Sequence, residues 1–198
     1  LKDFQMIKGL FSILALLFFT ITITGQPVDH SLVHDGETRE YQVFLPAGYQ
    51  PGDSLPLVIN LHGLGSDNFQ QTVYSEFTQV ADTAGFITVH PQGLEADVFG
   101  NYTTHWNANW ATGVDDIGFI RKMIDRIHYD YGIDLSRVYS TGMSNGGYMS
   151  YVLACEMSDK IAAIASVTGA FNTNTANACS PGRPVPVMEI HGTADDVV

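Results

Sequence analysis

An α/β domain with a mostly parallel sheet and helices on both faces is predicted from three observations. Apolar segments of strand length recur along the chain, most of them are continuous rather than alternating, and helical stretches separate them. At 198 residues, 45% hydrophobic and 15% charged, the composition fits one globular core and excludes a disordered or fibrous chain.

The strand segments are, in order, Tyr41–Leu45, Leu57–Leu61, Phe86–Val89, Arg137–Ser140, Ala162–Val167 and Val185–Ile190. A strand wetted on one face alternates apolar and polar residues. A continuous run is what a strand covered on both faces needs. The clearest helix spans Asp115–Tyr131, where Ile117, Ile120, Ile124 and Ile127 form one apolar stripe. Asp115 and Asp116 stand where negative charge favours a helix start, and Gly132 follows where helices commonly stop. Weaker helices are predicted over Asn68–Ala84 and Asn145–Met157, and the Asn- and Thr-rich run Asn172–Ala178 is predicted to be a solvated loop. Strand alternating with helix implies right-handed crossovers.

Ahead of these elements stand Lys2 and Lys8, an uncharged run from Gly9 to Ile23, and the polar break Gly25-Gln26-Pro27. That is the order of a secretory signal. The run of fifteen residues is shorter than the ~20 needed to cross a bilayer. Residues 1–25 are therefore expected to be a cleaved signal and residues 26–198 the domain. The protein is expected to be secreted, extracellular or periplasmic, without a stable membrane anchor. Under such oxidising conditions a disulfide between Cys155 and Cys179 can persist, the alternative being two buried thiols. With 21 acidic and 9 basic residues the net charge is −12, which repels phosphate backbones and excludes nucleic acid as an expected partner.

The chemistry concentrates in Gly142-Met143-Ser144-Asn145-Gly146, a G-x-S-x-G pentapeptide lying directly after a predicted strand and before a predicted helix. A serine on so sharp a turn stands clear of the sheet edge, and the helix that follows aims free N–H groups at a developing oxyanion. A tight glycine turn without chemistry is the plainer alternative. In the hydrolase arrangement a loop after an earlier strand supplies one oxyanion N–H and the residue after the nucleophile supplies the other. His62-Gly63-Leu64-Gly65 follows Leu57–Leu61, so the two donors are Leu64 and Asn145, with His62 structural. Asp195 follows the strand Val185–Ile190, where a carboxylate can orient an imidazole; Asp196 competes for that role, and either can equally be a cap or turn residue. Trp106, Trp110 and Tyr102 cluster before the main helix and are candidates for lining a substrate cleft, with core packing as the alternative. No Cys/His cluster has metal spacing and no glycine-rich phosphate loop follows the first strand, so neither a metal nor another cofactor is expected.

At these residues the chain resembles the secreted esterases of the polyhydroxybutyrate depolymerase and feruloyl esterase group, within the α/β-hydrolase superfamily. The likeness is carried by Leu61-His62-Gly63, Trp106-Asn107-Ala108, Val114 to Phe119, Gly142 to Tyr148, and His191 to Asp195. It implies an α/β-hydrolase fold and a serine carboxylic ester hydrolase of the polyester depolymerase or feruloyl and acetyl esterase type. Its substrates would be esters, including polymeric and plant-polysaccharide-linked ones. By position Ser144 matches the nucleophile, Asp195 the triad acid, and Leu64 and Asn145 the oxyanion donors.

The superfamily order places a histidine after the acid, and Asp196-Val197-Val198 contains none. His30, His34, His62, His90, His105, His128 and His191 all precede the matching place. The expectation is a domain whose last strand, last helix and catalytic histidine lie beyond residue 198. Two other readings stand beside the esterase: a non-catalytic binding protein on the same scaffold, and a serine peptidase of the same superfamily.

Overall fold

The computed structural model describes Gly25 and residues 27–198, so the predicted signal, Gly25 apart, lies outside the described residues. The elements are β1 (Val28–His34), β2 (Glu37–Phe44), β3 (Leu57–Leu61), α1 (Asn68–Ser75), α2 (Phe77–Ala84), β4 (Ile87–Pro91), β5 (Leu94–Val98), β6 (Asn101–His105), α3 (Asp116–Tyr131), β7 (Val138–Met143), α4 (Asn145–Glu156), β8 (Ile161–Val167), α5 (Thr173–Ala178) and β9 (Val187–Ile190). Seven strands form one sheet in the order β1-β2-β4-β3-β7-β8-β9, and β5 pairs with β6 in a separate hairpin. β1 and β2 join antiparallel at one edge, while β4, β3, β7, β8 and β9 run parallel. The mostly parallel sheet is thus as predicted.

Helices cover both faces, and β3 shows why. Consecutive side chains of a strand point to opposite faces. The Asn60 amide bonds Ser75 and Gln71 of α1, whereas the next residue, Leu61, lies against the Gly142 and Gly146 turn where α4 begins. α1 and α4 therefore sit on opposite sides of the same strand. Leu57, Ile59 and Leu61 of β3 and Ile87 and Val89 of β4 are fully buried, and Phe119, Ile120, Met123, Ile124 and Ile127 of α3 close over the core. The predicted stripe is shifted slightly: Ile117 is only partly buried, and Phe119 and Met123 join Ile120, Ile124 and Ile127 in full burial.

α3 starts and stops as its sequence dictates. The Asp115 carboxylate accepts the Gly118 N–H at 2.9 Å, and Gly132 ends the helix with φ 70°. The single helix predicted over Asn68–Ala84 is two, because Glu76 takes a left-handed conformation at φ 48°. Asn172–Ala178 is not the predicted loop. It holds α5, capped by the Asn172 side chain, which accepts the Thr175 N–H at 2.8 Å.

Cys155, at the end of α4, is bonded to Cys179, just past α5, across 24 positions of sequence. Closing such a loop restricts the unfolded chain and stabilises the fold by about 3 kcal/mol. Replacing both cysteines by serine, or adding reductant, is expected to lower the unfolding free energy by about that amount in guanidinium titrations. An unchanged transition midpoint would refute it.

Candidate active site

Between β7 and α4 the backbone reverses in one residue. Ser144 sits at φ 51°, ψ −117°, a conformation L-residues rarely adopt, and its peptide groups hold it there. Its N–H donates to the Val167 carbonyl of β8 at 2.8 Å, and its carbonyl accepts the Tyr148 N–H at 3.0 Å, opening the helical ladder. The flanking glycines are set by crowding. A Cβ on Gly142 would lie 2.6 Å from the Gly146 carbonyl carbon, and one on Gly146 would overlap the Leu61 carbonyl oxygen. No side chain fits at either place. Gly63 differs: a Cβ there would come no closer than 3.5 Å to its neighbours, so crowding by the protein does not demand glycine.

Ser144, Leu64 and Asn145 open together into a cleft of about 650 Å³, whose walls include Trp110 and Tyr148. Among the described residues no protein group accepts the N–H of Leu64 or Asn145. Trp110 lies in this cleft, between Phe99 at 5.4 Å and Tyr148 at 5.9 Å, centroid to centroid. Of the seven non-glycine residues with positive φ among the described residues, four line this cleft: Phe99, Asn109, Ala111 and Ser144.

Trp106 does not line the cleft, and its expected substrate-binding role is corrected. It is fully buried, with its indole N–H donating to the His62 carbonyl at 3.0 Å. The Asn145 side chain grips the Trp106 backbone twice, accepting its N–H at 2.7 Å and donating to its carbonyl at 3.0 Å. Indole and amide are both satisfied inside, which is what a buried tryptophan requires. Tyr102 also lies elsewhere, exposed on β6 beside a different hollow.

Sequence reasoning missed what anchors this loop. Asn107 donates its N–H to Asp116 at 2.7 Å, and Asp116 is paired with Arg39 of β2 at 2.6 Å, with both side chains 1% exposed. The Arg39 guanidinium also rests over the Phe119 ring at 4.0 Å. Burial pushes the Asp116 carboxyl above its ordinary value, opposed by Arg39 and the Asn107 N–H. A signal was available, since the two-residue period of β2 places Arg39 on the buried face of Tyr41 and Val43. Removing one partner of a buried pair strands the other charge, so Asp116→Asn is expected to cost about 3 to 5 kcal/mol of stability. Arg39→Met with Asp116→Leu is expected to cost much less than either change alone, and denaturant unfolding of the three variants checks the order.

His62 is structural, as its position suggested. Burial holds its imidazole down to about 4, so it is neutral near pH 7. Nε2 accepts the Gly93 N–H at 2.9 Å, which fixes the proton on Nδ1, and Nδ1 donates to the Gly63 carbonyl at 2.8 Å. Asp195 follows β9, where its carboxylate accepts the N–H groups of Val197 at 3.0 Å and Val198 at 3.3 Å. These bonds and nearby His191 hold it below the ordinary carboxylate range. Val197 and Val198 reach the cleft wall beside Ser144. Among the described residues no imidazole is hydrogen-bonded to Ser144. The seven histidines bond instead to Tyr131, Asp115, Gly63 with Gly93, Thr88, Leu94 with Thr112, Ile133, and Glu189 with Val198. Outside the cleft, His34, Asp35 and Asp115 bring possible metal-ligand atoms within 4.8 Å of one another, although Asp115 is already engaged as the α3 cap.

Residues 39–198 match the family model described as "Esterase PHB depolymerase". The chain belongs to this esterase family. The PHB depolymerase esterase family was therefore legible in the motifs around Leu61, Trp106, Asp115, Ser144 and His191. Among its relatives, a bifunctional acetylxylan esterase/xylanase of Neocallimastix patriciarum is 34% identical over 82% of this chain and 22% of its own length. Feruloyl esterase D of Neurospora crassa is 30% identical over 88% of this chain and 58% of its own. The chain thus spans less than two thirds of these curated relatives. Among solved structures, an S-formylglutathione hydrolase from Agrobacterium tumefaciens superposes with TM-score 0.70 at 15% identity, over 88% of this chain and 78% of that one. A ferulic acid esterase from Anaeromyces mucronatus gives TM-score 0.65 at 19% identity, over 88% and 74%. At that identity they establish the fold, that of the α/β hydrolases. No helix among the described residues is long and apolar enough to cross a membrane.

Proposed function

We propose that this chain carries the nucleophile and oxyanion hole of a serine carboxylic ester hydrolase acting through an acyl-enzyme. The observation that carries the reading is Ser144 at φ 51°, ψ −117° on the strand-to-helix bend, opening into the same cleft as two residues whose backbone N–H groups have no acceptor among the described residues. Ser144 Oγ attacks the ester carbonyl carbon while its proton passes to a general base. The carbonyl π electrons move onto oxygen, which the N–H groups of Leu64 and Asn145 receive. The C–O bond to the alcohol breaks as the intermediate collapses, the alcohol takes the proton, and water repeats the sequence on the acyl-serine. Asp195 is the proposed orienting acid, supported by its place after β9, two strands from β7 in a parallel set. None of the seven histidines is assigned the role of base.

The substrates proposed are acetyl or feruloyl esters of plant polysaccharides. They are the ester types named in the relatives, and aromatic faces at Trp110 and Tyr148 beside amides at Asn109 and Asn172 suit a planar acyl group or a sugar. Export into an oxidising compartment belongs to the same proposal, supported by the leader composition and the Cys155–Cys179 bridge. The test is a fluorophosphonate probe applied to the full-length gene product, with the adduct mapped by mass spectrometry. Labelling of Ser144 that vanishes in Ser144→Ala is the expected result. An unreactive Ser144 favours the non-catalytic binding protein instead.

A further inference from the structure

We propose that Trp106 is a positioning residue that holds the two donors of the oxyanion hole at a fixed separation. The inference rests on the oxyanion assignment above. The donors come from loops far apart in sequence, one after β3 and one at the start of α4. Trp106 is bonded to both. Its indole N–H holds the carbonyl of His62, and its own peptide groups are held by the side chain of Asn145 on both sides. Trp106 and His62 are completely buried and Asn145 is 1% exposed, so water does not compete for these bonds.

Each bond acts on a donor through a short, stiff path. The planar trans peptide between Gly63 and Leu64 carries the Gly63 oxygen on one side and the Leu64 N–H on the other. Anchoring that oxygen aims the N–H the opposite way, and its anchors are the Nδ1–H of His62 at 2.8 Å and, at 3.2 Å, the N–H of Ser66 in the same loop. The His62 ring lies against the Trp106 indole, 4.9 Å between centroids, and the His62 carbonyl is tied to the indole N–H. At the other donor, the side chain that grips Trp106 belongs to Asn145, the cleft-lining residue whose own N–H is the assigned donor. A shift of Trp106 therefore moves one donor relative to the other, and only a tetrahedral oxyanion needs both at once.

The experiment uses the full-length protein with Trp106→Phe, which keeps an aromatic ring in the core but lacks the indole N–H, and Asn145→Ala, which frees the other side. kcat, KM, thermal midpoint, affinity for a trifluoromethyl ketone that forms a tetrahedral adduct, and affinity for the product acid are measured. Expected for both variants is a fall in kcat of about 10- to 100-fold with KM within about twofold. Ketone affinity should weaken in step with kcat while product affinity holds. A lower thermal midpoint with kcat and ketone affinity unchanged assigns Trp106 to stability alone and overturns the inference. Equal weakening of ketone and product overturns it as well. Failure of the underlying reading has a different signature: wild-type Ser144 would take no fluorophosphonate.

Discussion

Ser144→Ala in the full-length protein is expected to lower kcat for an aryl ester by a factor on the order of 10⁶, with KM little changed, because the nucleophile and its base act as a unit and losing either forfeits the covalent route. The residual rate should not fall to that of water. On the proposed assignment the N–H groups of Leu64 and Asn145, which no described residue accepts, are left to stabilise an oxyanion formed by direct water attack, and such sites retain about 10³ to 10⁴ over the uncatalysed reaction. Steady-state kinetics on p-nitrophenyl acetate and methyl ferulate, with active-site titration of the wild type, measures both quantities. A loss under about tenfold would remove Ser144 from the mechanism, since no general effect of one missing hydroxyl hides a nucleophile so completely.

Stability should fall steeply as pH drops from 6.5 toward 4. His62 and His90 are both buried, at 0% and 1% exposure, and burial holds each imidazole down to about 4 against an ordinary 6.5. Between those values the unfolded chain binds close to two more protons than the folded one. Stability therefore rises with pH through this window, is fully present above it, and is lost as pH falls toward 4. Each such proton costs the fold about 1.4 kcal/mol for every pH unit crossed, so the two rings together are worth roughly 7 kcal/mol, comparable with the whole stability of a domain. His191 acts in the opposite direction, since Glu189 raises it, but it lies at the surface where solvent screens the effect. Paired carboxylates such as Asp134, held near 2, add acid lability below this window. Urea unfolding at intervals between pH 5 and 7, in the Arg39→Met with Asp116→Leu background that removes the raised and oppositely acting carboxyl of Asp116, isolates the histidines. A free energy flat across that range would mean that water reaches both rings.

The parallel centre of the fold was legible because its strands are continuous apolar runs, as Leu57–Leu61 shows, and α3 because its caps and stripe agree. β1 was not, since its side chains alternate between partly buried and exposed at a sheet edge, leaving only Leu32 and two valines among polar neighbours. The β5–β6 hairpin was missed for the same reason: Glu95, Asp97, Asn101, Thr103 and Thr104 leave little hydrophobic pattern to read. At the site, the G-x-S-x-G turn was legible from local sterics alone. The Asn145 grip on Trp106 and the Arg39–Asp116 pair were not, because each joins residues 39 or 77 positions apart whose meeting depends on the finished sheet. Trp106 and Trp110, four residues apart, went to opposite sides of one loop, and only tertiary placement separates a core indole from a wall indole.

Of the four positive-φ residues that line the cleft, three belong to its wall and only Ser144 to the bend between β7 and α4. Asparagine tolerates that conformation at 109, but alanine at 111 and phenylalanine at 99 occupy it against their own preference. The contour of this cleft is thus laid down by main chain under tension, and side chains only upholster it. For anyone retuning selectivity, exchanges at Trp110 and Tyr148 should reshape the lining while leaving the frame intact. A β-branched residue at 111 should instead unseat the frame itself, and with it the lodging of every substrate at once.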